Sequence, residues 1–142
     1  VGALLLALGC SGAKDNPVAP MSSDQPLVSR QQNRPPNAPY LWFPWNGWTI
    51  VGGKVTFFFV ATDPDNDMLK YRLEVLQSGN VIRVYDQREN SQGWSKPAYR
   101  SGEWVRFTIS LPVGDYEWRV KAIDDKNAEG PFNNPNHSFK MR

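Results

Sequence analysis

Every aromatic residue of this chain, eighteen in all, lies between Tyr40 and Phe139. The segment 11–38, SGAKDNPVAPMSSDQPLVSRQQNRPPNA, has none and is rich in Pro, Ser, Gln and Asn. A stretch of that composition cannot bury enough apolar surface to offset the entropy of ordering it. Residues 10–38 are therefore predicted to form a disordered tether, extending at most about 3.3 Å per residue. Whatever folds must fold within residues 39–142.

That region is a series of short strands with turn signals between them. Lys54 to Thr62 is β-branched and aromatic. From Leu69 to Gln77, Leu69, Tyr71, Leu73 and Val75 share one face, with Lys70, Arg72 and Glu74 on the other. Val81 to Asp86 follows the turn Ser78-Gly79-Asn80. Val105, Phe107, Ile109 and Leu111 alternate with Arg106, Thr108 and Ser110; Tyr116, Trp118, Val120 and Ala122 alternate with Glu117, Arg119 and Lys121. Shorter strands are expected at Tyr40 to Phe43 and at His137 to Met141. Period-two alternation with one polar face means antiparallel sheets packed on one side. No stretch has a helical period. The expectation is an all-β, seven-stranded antiparallel β-sandwich.

The run Leu111-Pro112-Val113-Gly114-Asp115-Tyr116-Glu117-Trp118-Arg119-Val120-Lys121-Ala122 resembles the E–F corner and F strand of a fibronectin type III domain. There a corner tyrosine packs its ring in the core while its hydroxyl satisfies a backbone group. Asn37-Ala38-Pro39 with Pro44 and Asn46-Gly47 is similar to the family's first strand and turn. Phe57-Phe58-Phe59-Val60-Ala61 is similar to its B strand, and Asp63-Pro64-Asp65-Asn66-Asp67 to a B–C loop. The likeness spans residues 37–142. It implies an immunoglobulin-like sandwich and leaves function open, because this architecture hosts unrelated roles.

Cys10, the single cysteine, closes the run Leu4-Leu5-Leu6-Ala7-Leu8-Gly9-Cys10. That run resembles a bacterial lipobox. The resemblance implies that residues 1–9 are part of a signal peptide and that Cys10 becomes the lipidated first residue of an exported protein. Ser11 in place of Asp then favours the outer membrane, if the host has one. No apolar run reaches the roughly 20 residues a membrane helix needs, so the expected anchor is lipid. A lone cysteine also rules out an intramolecular disulfide.

Catalysis is not expected. His137 is the sole histidine, so neither a zinc site nor a nucleophile–histidine pair can be assembled with a cysteine or second histidine. Gly52-Gly53 lies between strands and makes no phosphate loop. The net charge of +2, with no Lys/Arg run, does not point to nucleic acid. No cofactor is expected, with calcium the one ion the residues suggest. Asp63, Asp65 and Asp67 alternate, and Asp124 and Asp125 open a loop that shares their pole in this fold. An EF-hand reading fails, since Met68 stands where that loop needs Gly. The plainer reading is a turn whose Asx side chains bond their own backbone.

Tryptophan is the other lead. Trp42, Trp45 and Trp48 recur within one short segment, and Trp94 and Trp104 lie further on. Exposed aromatic rings can stack on sugars or dock a partner. If Leu41 and Phe43 face inward, Trp42 faces out. Phe58 and Val60 likewise make the outer face of their strand apolar, so something must cover it or bind there. Two functions follow: a lipid-anchored cell-envelope module making protein contacts, or a polysaccharide-binding lipoprotein that uses Trp42, Trp45, Trp48 and Trp94.

Overall fold

The computed structural model describes residues 32–142. Cys10, the signal and the tether up to residue 31 lie outside the described residues. Eight strands follow in order: β1 (Tyr40–Phe43), β2 (Trp48–Ile50), β3 (Lys54–Val60), β4 (Leu69–Gln77), β5 (Asn80–Asp86), β6 (Val105–Ser110), β7 (Gly114–Asp124) and β8 (His137–Met141). They build a three-stranded sheet, β1-β3-β6, and a five-stranded sheet, β2-β8-β7-β4-β5. This is an all-β, two-sheet sandwich: the alternation predicts the packed sheets, and the resemblance to fibronectin type III domains implies the immunoglobulin-like architecture.

The structure corrects the expectation of seven antiparallel strands: the eighth is β2, and it pairs parallel with β8. After β1 the chain meets Pro44, which has no N–H to give a ladder, and then Gly47, at φ 81°. The chain leaves the first sheet there and joins the second. Trp48, Thr49 and Ile50 run parallel to Phe139, Lys140 and Met141 of β8. A three-residue strand in a parallel pair has too short a pattern to announce itself.

The core follows the predicted parity. On β3, Val55, Phe57 and Phe59 are buried and face Leu69, Tyr71, Leu73 and Val75 of β4 and Trp118 and Val120 of β7. Phe57 lies 4.7 Å from Trp118 and 5.7 Å from Phe139, ring centre to ring centre. Phe59 meets Tyr71 edge-on at 5.0 Å. The tyrosine corner is present: the Tyr116 hydroxyl donates to the Pro112 carbonyl at 2.8 Å, and its ring stacks against Phe139 at 5.6 Å.

On the outer side of the five-stranded sheet, Glu74 is nearly buried between two guanidiniums, Arg72 and Arg119, at 2.8 and 2.7 Å. Burial alone would raise this carboxyl; the two arginines outweigh it and hold it below the usual range. Arg88 pairs with buried Asp86 at 2.7 Å in the same way.

Residues 33–38, predicted as tether, are held by the sandwich. The Asn37 amide donates to the Thr62 carbonyl at 2.9 Å. The Arg34 guanidinium and backbone amide both bond Asp65, at 2.7 Å each. Pro36 is buried against Gly130, where no side chain could fit. Composition missed this because these bonds are made to polar backbone and carboxylate partners far along the chain.

Candidate functional site

Two features stand out, an aromatic surface on the three-stranded sheet and an acidic pole at the end where Asn33 docks.

The aromatic surface begins with a bulge in β1. Leu41 pairs with Phe59, and Phe43 pairs with the next residue back, Phe58, so Trp42 is the extra residue. Strict alternation would place Leu41 and Phe43 on one face. The bulge corrects that: Leu41 is buried, whereas Phe43 joins Trp42 outside. Trp42 then covers Phe58, ring centres 5.9 Å apart, and meets Trp45 at 6.0 Å and Trp104 at 6.3 Å. Trp45 meets Trp48 at 4.8 Å, and Tyr40 meets Trp104 at 6.4 Å. Each of these pairs stands edge to face, between 72° and 90°.

Trp42, Trp45, Trp48 and Trp104 stay between 43% and 52% exposed despite these contacts. A depression of about 500 Å³ lies over the sheet, lined by Tyr40, Trp42, Phe58 and Trp104. Phe58 is thus the covered outer face of β3, and the rings that cover it are themselves open to solvent.

Of the four tryptophans singled out from the sequence, three belong to this surface. Trp94 does not, which corrects its reading as a stacking platform. It is 9% exposed, and its ring lies 4.2 Å from Phe107, closing the sandwich between β5 and β6. Tyr40 and Trp104 belong to this surface and were left out of that set, although Trp104 was noted beside Trp94. The signal for Trp104 was available, since it shares the parity of Arg106 and Thr108, the outward residues of β6.

The acidic pole gathers the loop after β3 and the loop after β7, as predicted. Asp63, Asp67 and Asp124 each place a carboxylate oxygen within 4.8 Å of the others. Turn chemistry explains part of this. Asp63 Oδ1 accepts the Asp65 and Asp67 amides at 2.8 and 3.3 Å. Asp124 Oδ1 accepts the Lys126 and Ala128 amides at 2.9 and 2.8 Å. Burial would raise the Asp124 carboxyl, but the Asn33 amide, these backbone amides and the Lys126 charge hold it below its ordinary value. Asp65 and Asp125 do not converge with the others. Asp65 turns to Arg34, and Asp125 to Lys126 at 3.1 Å. Lys126 also reaches Asp67 at 3.0 Å. Asn33 was not foreseen; it donates to Asp124 Oδ2 at 2.6 Å.

His137 lies beside the aromatic surface, in a groove it shares with Trp42 and Trp45. It packs edge-on to Trp118 at 6.1 Å. Burial pushes its imidazole below the ordinary value, opposed in part by the Pro44 carbonyl.

No family profile matches the sequence, and no curated protein matches it. Among solved structures, the chain is similar to the PKD domain of an M14-like peptidase from a Thermoplasmatales archaeon. The identity is 28% and the TM-score 0.56, over 78% of this chain and 98% of that one. It is also similar in fold to part of the endo-β-1,4-mannanase from Thermotoga petrophila. There the identity is 14% and the TM-score 0.51, over 80% of this chain and 21% of that one. A similar sandwich makes up nearly all of the first of these solved chains and about a fifth of the second.

Proposed function

We propose that this chain is a non-catalytic module, lipid-anchored through Cys10 in a bacterial cell envelope, that binds another protein through its aromatic face. The observation that carries the reading is the contiguous exposed surface of Tyr40, Trp42, Trp45, Trp48 and Trp104. Small soluble domains rarely leave such a patch open without using it, and tryptophan and tyrosine are the side chains that anchor protein interfaces. The ring geometry favours a protein partner over a sugar. Stacking on a saccharide needs a ring presented flat, with polar groups beside it for the hydroxyls. Here neighbouring rings stand upright against one another, and the depression over the sheet is lined by four aromatic side chains. Aliphatic or aromatic side chains of a partner fit such a surface.

The lipid anchor rests on the run from Leu4 to Cys10 and on the lipobox it resembles. The same resemblance favours the outer membrane where the host has one. A photo-crosslinking phenylalanine derivative at position 104, which keeps an aromatic ring there, tests the face in the lipoprotein expressed in its own envelope. A discrete protein adduct from position 104, with none from exposed Lys140, is the expected result. Equal yields from both positions would remove the aromatic face from the proposal. Incorporation of a palmitate analogue, lost in Cys10→Ser, is expected for the anchor.

One observation favours a second reading. Trp42 and Trp45 also border a groove of about 350 Å³ shared with Asn133, Asn134 and His137. Amide and imidazole groups beside an indole are what a saccharide needs. Protection of tryptophan fluorescence from acrylamide by an envelope polysaccharide, lost in Trp45→Ala, would establish that reading in place of the first.

A further inference from the structure

We propose that the acidic pole is a calcium site, and that it takes Asn33 as a ligand along with Asp63, Asp67 and Asp124, so that the ion fastens the end of the tether to the sandwich. The proposal stands apart from the aromatic face and does not depend on it.

The argument begins with what the turn leaves over. Asx turns use one oxygen of Asp63; Asp124 gives Oδ1 to two backbone amides and Oδ2 to the Asn33 amide, which leaves Oδ2 a lone pair for an ion. The other Asp63 oxygen, Oδ2, is buried and has no hydrogen-bond partner among the described residues. The same holds for Asp67 Oδ2 and for Asn33 Oδ1. Buried oxygens without partners are rare in folded proteins and ask for one. Three at one pole, beside a carboxylate cluster, ask for the same one.

Charge points the same way. Arg34 serves Asp65, and Lys126 serves Asp67 and Asp125. Among the described residues no lysine or arginine pairs with Asp63 or Asp124. Yet these are the two most buried acids of the pole, 6% and 5% exposed. Two buried carboxylates with convergent oxygens repel, and burial denies them water. A cation between them removes both costs.

The donors identify the ion. All are carboxylate or amide oxygens, with no sulfur or imidazole, so the site is hard. Ligands from two loops and an incoming segment make an irregular cage with few protein donors. Calcium tolerates that geometry and completes its shell with water, whereas magnesium demands a near-octahedral one. Lys126, held at Asp67, adds a competing positive charge. The expected affinity is therefore modest, in the range of extracellular modules, with Kd about 0.1–1 mM.

Asn33 gives the site its consequence. Among the described residues it is the first that bonds the sandwich, and its amide already donates to Asp124. A calcium ion drawing on Asn33 Oδ1 would pin the point from which the tether leaves.

The test is calorimetry and thermal melting of the full 142-residue chain with calcium chloride, with magnesium chloride as the control. Saturable 1:1 binding of calcium, with a rise in Tm, is expected, and magnesium should do far less. Asp63→Asn keeps the side-chain oxygen that caps the turn and should weaken binding by roughly tenfold or more. Asp67→Asn, whose residue is less buried, should do the same and guards against a folding defect in the first variant. Asn33→Ala should weaken binding to a smaller degree while leaving both loops intact. Calcium should also slow amide exchange at Arg34 in the native chain, and this effect should vanish in Asn33→Ala. No heat and no Tm shift at 10-fold the upper expected Kd would overturn the site. Binding unaffected by Asp63→Asn and Asp67→Asn would overturn its location, and binding unaffected by Asn33→Ala would overturn the link to the tether.

Discussion

The Tyr116 hydroxyl spans only 2.8 Å to the Pro112 carbonyl, and a phenylalanine there would keep the ring but lose the bond. Tyr116→Phe should cost about 1 kcal/mol in urea denaturation, the worth of one such hydrogen bond. That bond was foreseen because the run from Leu111 to Tyr116 resembles a fibronectin type III corner, and the resemblance implies both the packed ring and the bonded hydroxyl. Trp94 was not legible. It lies in a loop with no alternation to assign its side, and only the gap between β5 and β6 decides that it turns inward. His137 gives a pH prediction. Burial lowers its folded pKa below the unfolded value of about 6.5, so the unfolded chain binds the extra proton more readily. Its contribution to stability is whole above pH 6.5, declines as pH falls below that value, and is gone below the folded pKa. As the only histidine, it can be followed alone by NMR; a folded pKa above 6.5 would contradict the assignment.

At the scale of elements, strand positions and their faces were readable wherever side chains alternate for several residues, as on β4 and β7. Two elements were not. The β1 bulge shifts a register by one residue, and nothing in Tyr40-Leu41-Trp42-Phe43 marks it except that one more aromatic ring than expected ends outside. The segment 33–38 looked like tether because its composition is polar, yet polar segments can be fixed by backbone bonds. Gly130 makes that attachment testable. A methyl group there would overlap the Pro36 carbonyl, whereas Gly130 belongs to no strand of the core. Gly130→Ala should therefore lift the Asn33–Pro36 segment and leave the sandwich folded. Hydrogen exchange should speed up at the Arg34 amide, which now bonds Asp65, while the β4 amides keep their protection.

Across the whole molecule, one aromatic core joins both sheets, and Phe57 is near its centre. Phe57→Ala should cost about 3–5 kcal/mol, a large share of the roughly 5–15 kcal/mol by which a domain of this kind is stable. Urea midpoints of the two proteins would measure it. The outer aromatic face should behave differently. Trp104→Ser removes a half-exposed ring and should change stability by less than about 1 kcal/mol while abolishing the crosslink partner's binding. Sequence patterning revealed the core and the acidic pole because both follow from strand parity and from which loops share an end. It did not reveal which oxygens lack partners or which rings stand upright, since those depend on packing between distant segments. The β2–β8 pair adds a mechanical consequence. Because the two strands run parallel, pulling the chain before β2 against the chain after β8 drags them in opposite directions along their length. The hydrogen bonds between them would then bear the load together and not one after another. Force applied across that pair would meet it in shear, where a pair of antiparallel neighbours joined by a hairpin would be peeled open.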